Sequence, residues 1–261
     1  MKIGVITNDK KDPAFEYTLQ ICEFLQRQGI TVITNLYPLD AKFWIVLGGD
    51  GTMLRYSHIA AIHNIPLLGI NLGNLGFLTD AEKPEGLAAI AKVLAGDYET
   101  EKRLMLVVNG HSAFDETNEA DLLALNDVYV GTAGGLKTFS VYVNNLLLDE
   151  IRADGVIVAT PTGSTAYNLS AGGPILVPDG EMMVITPVCP HSLGTRSVVI
   201  GATDTVRIVA HQASPVVIDG VKMGVVSENS GVIVNKSPYY ATIIKTAPSH
   251  LHAVLRRKKI L

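Results

Sequence analysis

Phe43-Trp44-Ile45-Val46-Leu47-Gly48-Gly49-Asp50-Gly51-Thr52 runs from five apolar residues directly into a glycine turn that holds a single acid, and a helix-compatible stretch, Thr52–Ile62, follows. An unbroken apolar run of this length reads as a strand buried on both faces, as in a parallel sheet covered by helices. At the carboxyl end of such a strand, beside a helix N-terminus, free backbone N–H groups face the solvent and bind anions. Glycines let a phosphate approach the backbone closely. An acid among phosphates is costly unless it binds a metal, orients a hydroxyl or accepts its proton. The plainer reading is a tight turn in which Asp50 caps the next helix. The turn is neither a G-x-x-x-x-G-K-[ST] loop nor a G-x-G-x-x-G fingerprint, since Leu54 stands where the third glycine would be.

Working outward, residues 1–100 alternate short β-branched runs with amphipathic stretches, the signature of α/β organisation around a parallel sheet. Strands are expected at Lys2–Thr7, Thr31–Thr34, Phe43–Leu47 and Pro66–Ile70, and helices at Ala14–Gln28, Thr52–Ile62 and Glu85–Leu94, the last closed by Gly96. After Tyr98 the helical period fades. Strand-like runs follow at Leu104–Val108, Asp127–Val130, Thr138–Val143, Leu146–Arg152, Gly155–Ala159, Met183–Pro187, Thr205–Val209, Pro215–Ile218, Val232–Asn235 and Ala241–Ile244. Asn144-Asn145 has hairpin-turn chemistry, because Asn tolerates left-handed backbone. The expected fold is an α/β domain over 1–100 and a β-rich domain over 101–245. A helical segment at His250–Leu255 opens a tail, 246–261, that packs back on the first domain.

Two further segments carry polar chemistry. Gly69-Ile70-Asn71-Leu72-Gly73-Asn74-Leu75-Gly76-Phe77-Leu78 is a second glycine-rich turn leaving a strand, and as a neighbour of the first it would line the same crevice. Thr160-Pro161-Thr162-Gly163-Ser164-Thr165-Ala166-Tyr167-Asn168-Leu169-Ser170 brings hydroxyls, a ring and glycines to a helix start, with Tyr167 and Ser170 three apart on one face. A ring with hydroxyls and free N–H groups suits a nucleobase and ribose, although a capped helix with a packed Tyr has the same composition.

The 261-residue chain is long enough to bury one large core or two smaller ones without disulfides. Its two cysteines, Cys22 and Cys189, read as structural thiols of a reducing compartment. A net charge of -4 argues against a broad nucleic-acid surface, and no run of about 18 apolar residues marks a membrane span. With no signal-peptide pattern at Met1–Thr7, the expected location is the cytoplasm. The seven histidines show no metal-ligand spacing, so no protein-held metal is expected.

Taken in order, Gly48–Thr52, Asn126-Asp127 and Thr160–Tyr167 resemble the NAD kinase family along nearly the whole chain, supported by Gly69–Thr79, Arg152–Gly155 and Pro187–Ser192. The first turn alone is shared with phosphofructokinases and lipid kinases; the three together are specific. The resemblance implies phosphoryl transfer from ATP, another triphosphate or polyphosphate to the 2′-hydroxyl of the adenosine ribose of NAD. Mg²⁺ or another divalent cation would accompany the donor. Asp50 would be the general base or orienting acceptor, and Gly51 would hold phosphate. Asn126 and Asp127 would hydrogen-bond NAD, and Thr165, Ala166, Tyr167, Asn168, Leu169 and Ser170 would line its adenosine end. Arg55 and Lys137 would be cations near phosphates. Arg152 and Asp154 would complete the site from a neighbouring subunit of a homo-oligomer, a dimer or tetramer. The first domain would bind the phosphoryl donor, the second NAD and the other subunits. One departure stands at Asp219-Gly220-Val221-Lys222, where the family often has Asp-Gly-Gln. The alternatives are a sugar-phosphate or lipid kinase, which leaves the second and third segments without a role, and a dinucleotide sensor, which has no need of Asp50.

Overall fold

The computed structural model describes residues 1–73, 76–110, 122–132, 135–247 and 255–256. The chain divides into two compact units, Met1–Lys102 with Ala241–Leu261, and Arg103–Tyr240.

The first unit contains β1 (Lys2–Thr7), α1 (Glu16–Arg27), β2 (Thr31–Thr34), β3 (Trp44–Gly48), α2 (Asp50–Ile62), β4 (Leu67–Asn71), β5 (Ala81–Glu82) and α3 (Gly86–Ala95). β1 pairs in parallel with β2 and β3, β3 with β4, and β4 with β5. Ile243 adds a further parallel partner for Leu67. Every residue of β3 and β4 is buried, as expected of central strands with both faces covered. The core joins Ile3, Val5, Ile45, Leu47, Leu68 and Ile70 to Tyr17, Ile21 and Leu25 of α1 and to Ile90 and Val93 of α3. Gly96 closes α3 at φ +80, its N–H reaching Val93 O while the Asp97 N–H reaches Lys92 O. That left-handed residue past a helix end is the position for which glycine is suited.

The second unit follows from β6 (Glu99–Asn109), which starts in the first. It holds β7 (Leu123–Ala124), β8 (Asp127–Gly131), β9 (Lys137–Val143), β10 (Leu146–Ala153), β11 (Gly155–Ala159), α4 (Tyr167–Ser170), β12 (Met182–Val188), β13 (Val198–Gly201), β14 (Val206–Ala210), β15 (Ser214–Ile218) and β16 (Val221–Val226), followed by the start of β17 (Ser230–Lys245). One antiparallel sheet runs β13-β12-β11-β8-β15-β16, and another includes β10-β9-β14-β17. Alternate residues of the two sheets, among them Val128, Val130, Phe139, Val141, Val156, Val158, Ile208 and Val232, share one core. On the other face of the six-stranded sheet, Tyr129, Ile157, Ala159 and Val184 pack with Leu176. Asn144 and Asn145 both have positive φ, 50 and 66, and turn β9 into β10.

Two expected short runs, Val232–Asn235 and Ala241–Ile244, belong to one continuous strand, β17, which carries Pro238 within it. Residues from Ala241 onward group with the first unit. The expected helix at His250–Leu255 lies outside the described residues except at Leu255, which is helical and buried.

Candidate active site

In the first unit the site forms where β1, β3 and β4 end. Gly49, extended at φ -123, caps α2 without any side-chain bond, and Asp50 is the first helical residue. Its carboxylate does not cap its own helix. It reaches the second glycine turn and accepts the Phe77 N–H at 2.8 Å and the Leu78 N–H at 2.9 Å. The fit is close enough that a Cβ on Gly76 would lie 1.9 Å from Asp50 Oδ1, and one on Gly48 would lie 2.3 Å from Thr52 Oγ1. The two turns are therefore one structure, tied by the acid. Asn71 secures the second turn by accepting the Gly73 N–H at 2.8 Å.

A cavity of about 540 Å³ opens over this arrangement, lined by Thr7, Asn8, Asp9, Lys10, Lys11, Gly49, Asp50, Gly51, Thr52, Arg55, Tyr56 and Gly76. The Lys11 ammonium lies against both turns, 3.3 Å from where a Cβ of Gly49 would be and 3.2 Å from that of Gly73. Asn8 donates to Thr52 Oγ1 at 3.1 Å, fixing the loop after β1 to the start of α2. The Arg55 guanidinium sits over the Tyr56 ring at 5.8 Å. Three cations, a glycine turn and a helix N-terminus in one cavity form an anion site. Asp50, Gly51 and Arg55 are among the residues that line it. Lys10, Lys11 and Asn8 were missed, although a polar run with two lysines directly after a parallel strand is a signal for such a place.

In the second unit the site centres on Asn126-Asp127, at the start of β8. Thr160 holds this turn from one side, its hydroxyl donating to Leu125 O at 2.6 Å and its N–H to Asn126 O at 2.9 Å. Gly163 presses so closely that a Cβ there would lie 2.0 Å from Asn126 O. From the other side, the Asp219 carboxylate accepts the N–H groups of Leu125, Asn126 and Asp127 at 2.8, 2.7 and 3.0 Å. Burial, and then the negative charge of Asp219, push the Asp127 carboxyl up to about 7. Tyr129 and Tyr167 meet edge to face at 5.5 Å, and Tyr167 stays 43% exposed. The Tyr167 hydroxyl is raised by burial first and then by Cys189, Asp154 and Asp127, which places these groups in one neighbourhood.

The remaining expected residues occupy distinct settings. Thr165 and Ala166 are half-buried, Leu169 half-buried and Ser170 exposed. Asn168 is wholly buried: its amide donates to Ser164 O and Pro174 O at 3.0 Å each and accepts the Thr186 hydroxyl at 2.6 Å, which anchors α4 to β12. Lys137 donates to Ala213 O and Ser214 Oγ. Arg152 is exposed, while Asp154 is half-buried with its carbonyl accepting the Tyr129 hydroxyl at 3.2 Å. Among the described residues no group of three His, Cys, Asp or Glu side chains is placed to hold a metal ion. No described helix is long and apolar enough to cross a membrane.

An acid-bearing glycine turn at the mouth of a parallel sheet, beside a helix N-terminus and two lysines, is the site of a protein that binds phosphate groups. Comparison with known proteins supplies the particular kind. Residues 33–98 match the ATP-NAD kinase N-terminal domain and residues 125–246 the ATP-NAD kinase C-terminal domain. The chain is 37% identical to an NAD kinase of Caldanaerobacter subterraneus subsp. tengcongensis and 34% identical to one of Lachnoclostridium phytofermentans, in each case over 98% of both chains. Its structure is similar to that of an NAD kinase from Archaeoglobus fulgidus in complex with ATP, with a TM-score of 0.79, 27% identity and 94% of each chain covered. The chain belongs to the NAD kinase family. It is an NAD kinase, an enzyme that transfers a phosphoryl group from ATP, another triphosphate or polyphosphate to the 2′-hydroxyl of the adenosine ribose of NAD to form NADP.

Proposed function

We propose the following division of labour for that reaction. The donor's phosphates lie in the cavity of the first unit, on the N–H groups that open α2 and beside Lys10, Lys11 and Arg55. Asp50 faces the 2′-hydroxyl as its orienting acceptor and receives its proton. The observation that supports this reading is the Asp50 carboxylate joining both glycine turns, in a cavity that Lys10, Lys11 and Arg55 line together with Asp9.

Phosphoryl transfer usually passes through a loose transition state, so positioning and charge stabilisation supply most of the rate and proton removal is late. An acid that already accepts two N–H bonds suits that modest task. A divalent cation bound with the donor would neutralise part of its phosphate charge. Asn126, Asp127, Tyr167 and Ser170, with Thr165, Ala166 and Leu169, recognise the adenosine end of NAD. Asn168 supports them from within. Lys137 is a further cation near phosphates, Arg152 and Asp154 complete the site of a neighbouring copy in a homo-oligomer, and the exposed Leu146, Leu147 and Leu148 on β10 support a contact between copies. The two unpaired thiols, buried Cys22 and exposed Cys189, support a reducing, cytoplasmic setting.

The test incubates the protein with NAD and Mg²⁺ and either ATP or inorganic polyphosphate, and follows NADP through an NADP-specific dehydrogenase, with Asp50→Asn alongside. NADP from the wild type and at most about 1% of that turnover from the variant is the expected result. Near-normal turnover in Asp50→Asn would remove Asp50 from the mechanism. Light scattering that finds only monomers would dismiss the oligomer.

A further inference from the structure

The Asp219 carboxylate grips three consecutive backbone N–H groups of the Leu125-Asn126-Asp127 turn, at 2.8, 2.7 and 3.0 Å. The grip is reciprocal, because the Asp219 N–H donates to Asp127 O at 3.0 Å. Asp219 holds a left-handed backbone, φ +48, at the turn between β15 and β16, and Gly220 follows at φ +81. A non-glycine residue in that region is uncommon and carries strain. Here the strained turn aims a carboxylate at the peptide groups of β8 instead of at solvent. Charge-assisted bonds of this kind are shorter and stronger than neutral ones. With Thr160 on its opposite side, the Asn126-Asp127 turn is fixed from both flanks.

We propose that Asp219 is a positioning residue for NAD: its carboxylate holds the Leu125–Asp127 backbone in the shape that presents Asn126 and Asp127 to the dinucleotide. The proposal rests on the reading that Asn126 and Asp127 contact NAD. Asp219 acts through them and touches no substrate atom itself. It also faces Asp127 as a negative charge; Tyr167 is the other titratable group whose ionisation is coupled to Asp127. Because the Asp127 carboxyl is raised to about 7, its ionised fraction falls about tenfold between pH 8 and pH 6. As an acceptor of NAD hydroxyl or amide groups it serves in the ionised form, so the KM for NAD should rise about tenfold over that interval. Removing the Asp219 charge lowers the Asp127 carboxyl, moves this limb to lower pH and flattens it.

The experiment measures KM for NAD and kcat at saturating ATP from pH 6 to pH 8 for the wild type, Asp127→Asn, Asp219→Asn and Asp219→Gly. Asn and Gly both suit left-handed backbone, so two variants preserve the turn if one folds poorly. Hydrogen exchange at the three amides is read in parallel. The expected result is a KM raised about tenfold or more in both Asp219 variants at pH 8, with kcat changed less than about threefold. The pH dependence of KM should be flattened, and exchange at residues 125–127 faster while Val156–Val158 of β11 keep their protection. Faster exchange with an unchanged KM and an unchanged pH profile would overturn the positioning role and leave Asp219 a purely structural clamp. Asp127→Asn with the wild-type KM and pH profile would instead overturn the reading beneath the proposal, and the proposal with it.

Discussion

At the scale of single residues, Asp50 has two tasks that one substitution disturbs together. Its carboxylate is the tie between the two glycine turns and, in the proposed mechanism, the acceptor for the 2′-hydroxyl. Asp50→Asn retains one oxygen for the Phe77 or Leu78 N–H but presents an NH₂ group to the other. The loss of at least about 10²-fold in turnover should therefore come with NAD binding largely kept and a modest fall in stability, of order 1 kcal/mol. Turnover, NAD titration and urea unfolding of the same preparation separate the effects. Gly76→Ala is the complementary change: a methyl group 1.9 Å from Asp50 Oδ1 must displace the carboxylate or the turn. Turnover should fall about tenfold or more with Asp50 still present, as a 1 Å misplacement at the reacting centre is enough for such losses. Wild-type turnover in Gly76→Ala would show that the tie is not needed for catalysis.

At the scale of elements, much of the architecture was legible. β1, β2 and β11 fall on the expected residues because each is a short β-branched run bounded by turn residues. α3 ends where Gly96 says it should. Gly96→Ala puts a Cβ into a left-handed conformation with nothing near it to clash, so the expected cost is backbone strain alone, about 1 kcal/mol in a denaturation midpoint series, with activity unchanged. Other elements were not legible for identifiable reasons. β17 was split because Pro238 reads as a breaker in a strand. β13 and β16 went unnoticed: no residue of β13 and only Val226 of β16 is buried, so neither carries a core-facing apolar pattern. The site shows the same limit. Glycine turns announce themselves locally, whereas Asp219 meets Leu125 across 94 residues of chain, and no local pattern links the two. Asn168 shows the reverse case: its place in a motif suggested a ligand contact, and its burial and its bonds to Ser164, Pro174 and Thr186 could not be read from that motif.

At the scale of the whole molecule, Asp127 links the site to global stability. A carboxyl raised to about 7 in the folded state and near 3.8 when unfolded means that the folded chain binds more protons between those values. Stability from this group is full below about pH 4, declines as pH rises towards 7, and levels off above. The decline has an upper bound of about 4 kcal/mol, and other carboxylates with the opposite trend offset it. Asp127→Asn, which cannot ionise, should gain on the wild type from pH 5 to about pH 7 and then hold that advantage in urea unfolding; a constant difference throughout would show that Asp127 is not perturbed by its setting. The tie between Asp50 and Gly76 has a consequence for descent. While position 50 holds its acid in this place, position 76 has no room for a side chain, so the acid restricts what can stand 26 residues further on. A lineage that abandoned the chemistry and let the acid shrink would at once free the glycine to drift. Its sequence would then record the lost activity at a position 26 residues away from the acid.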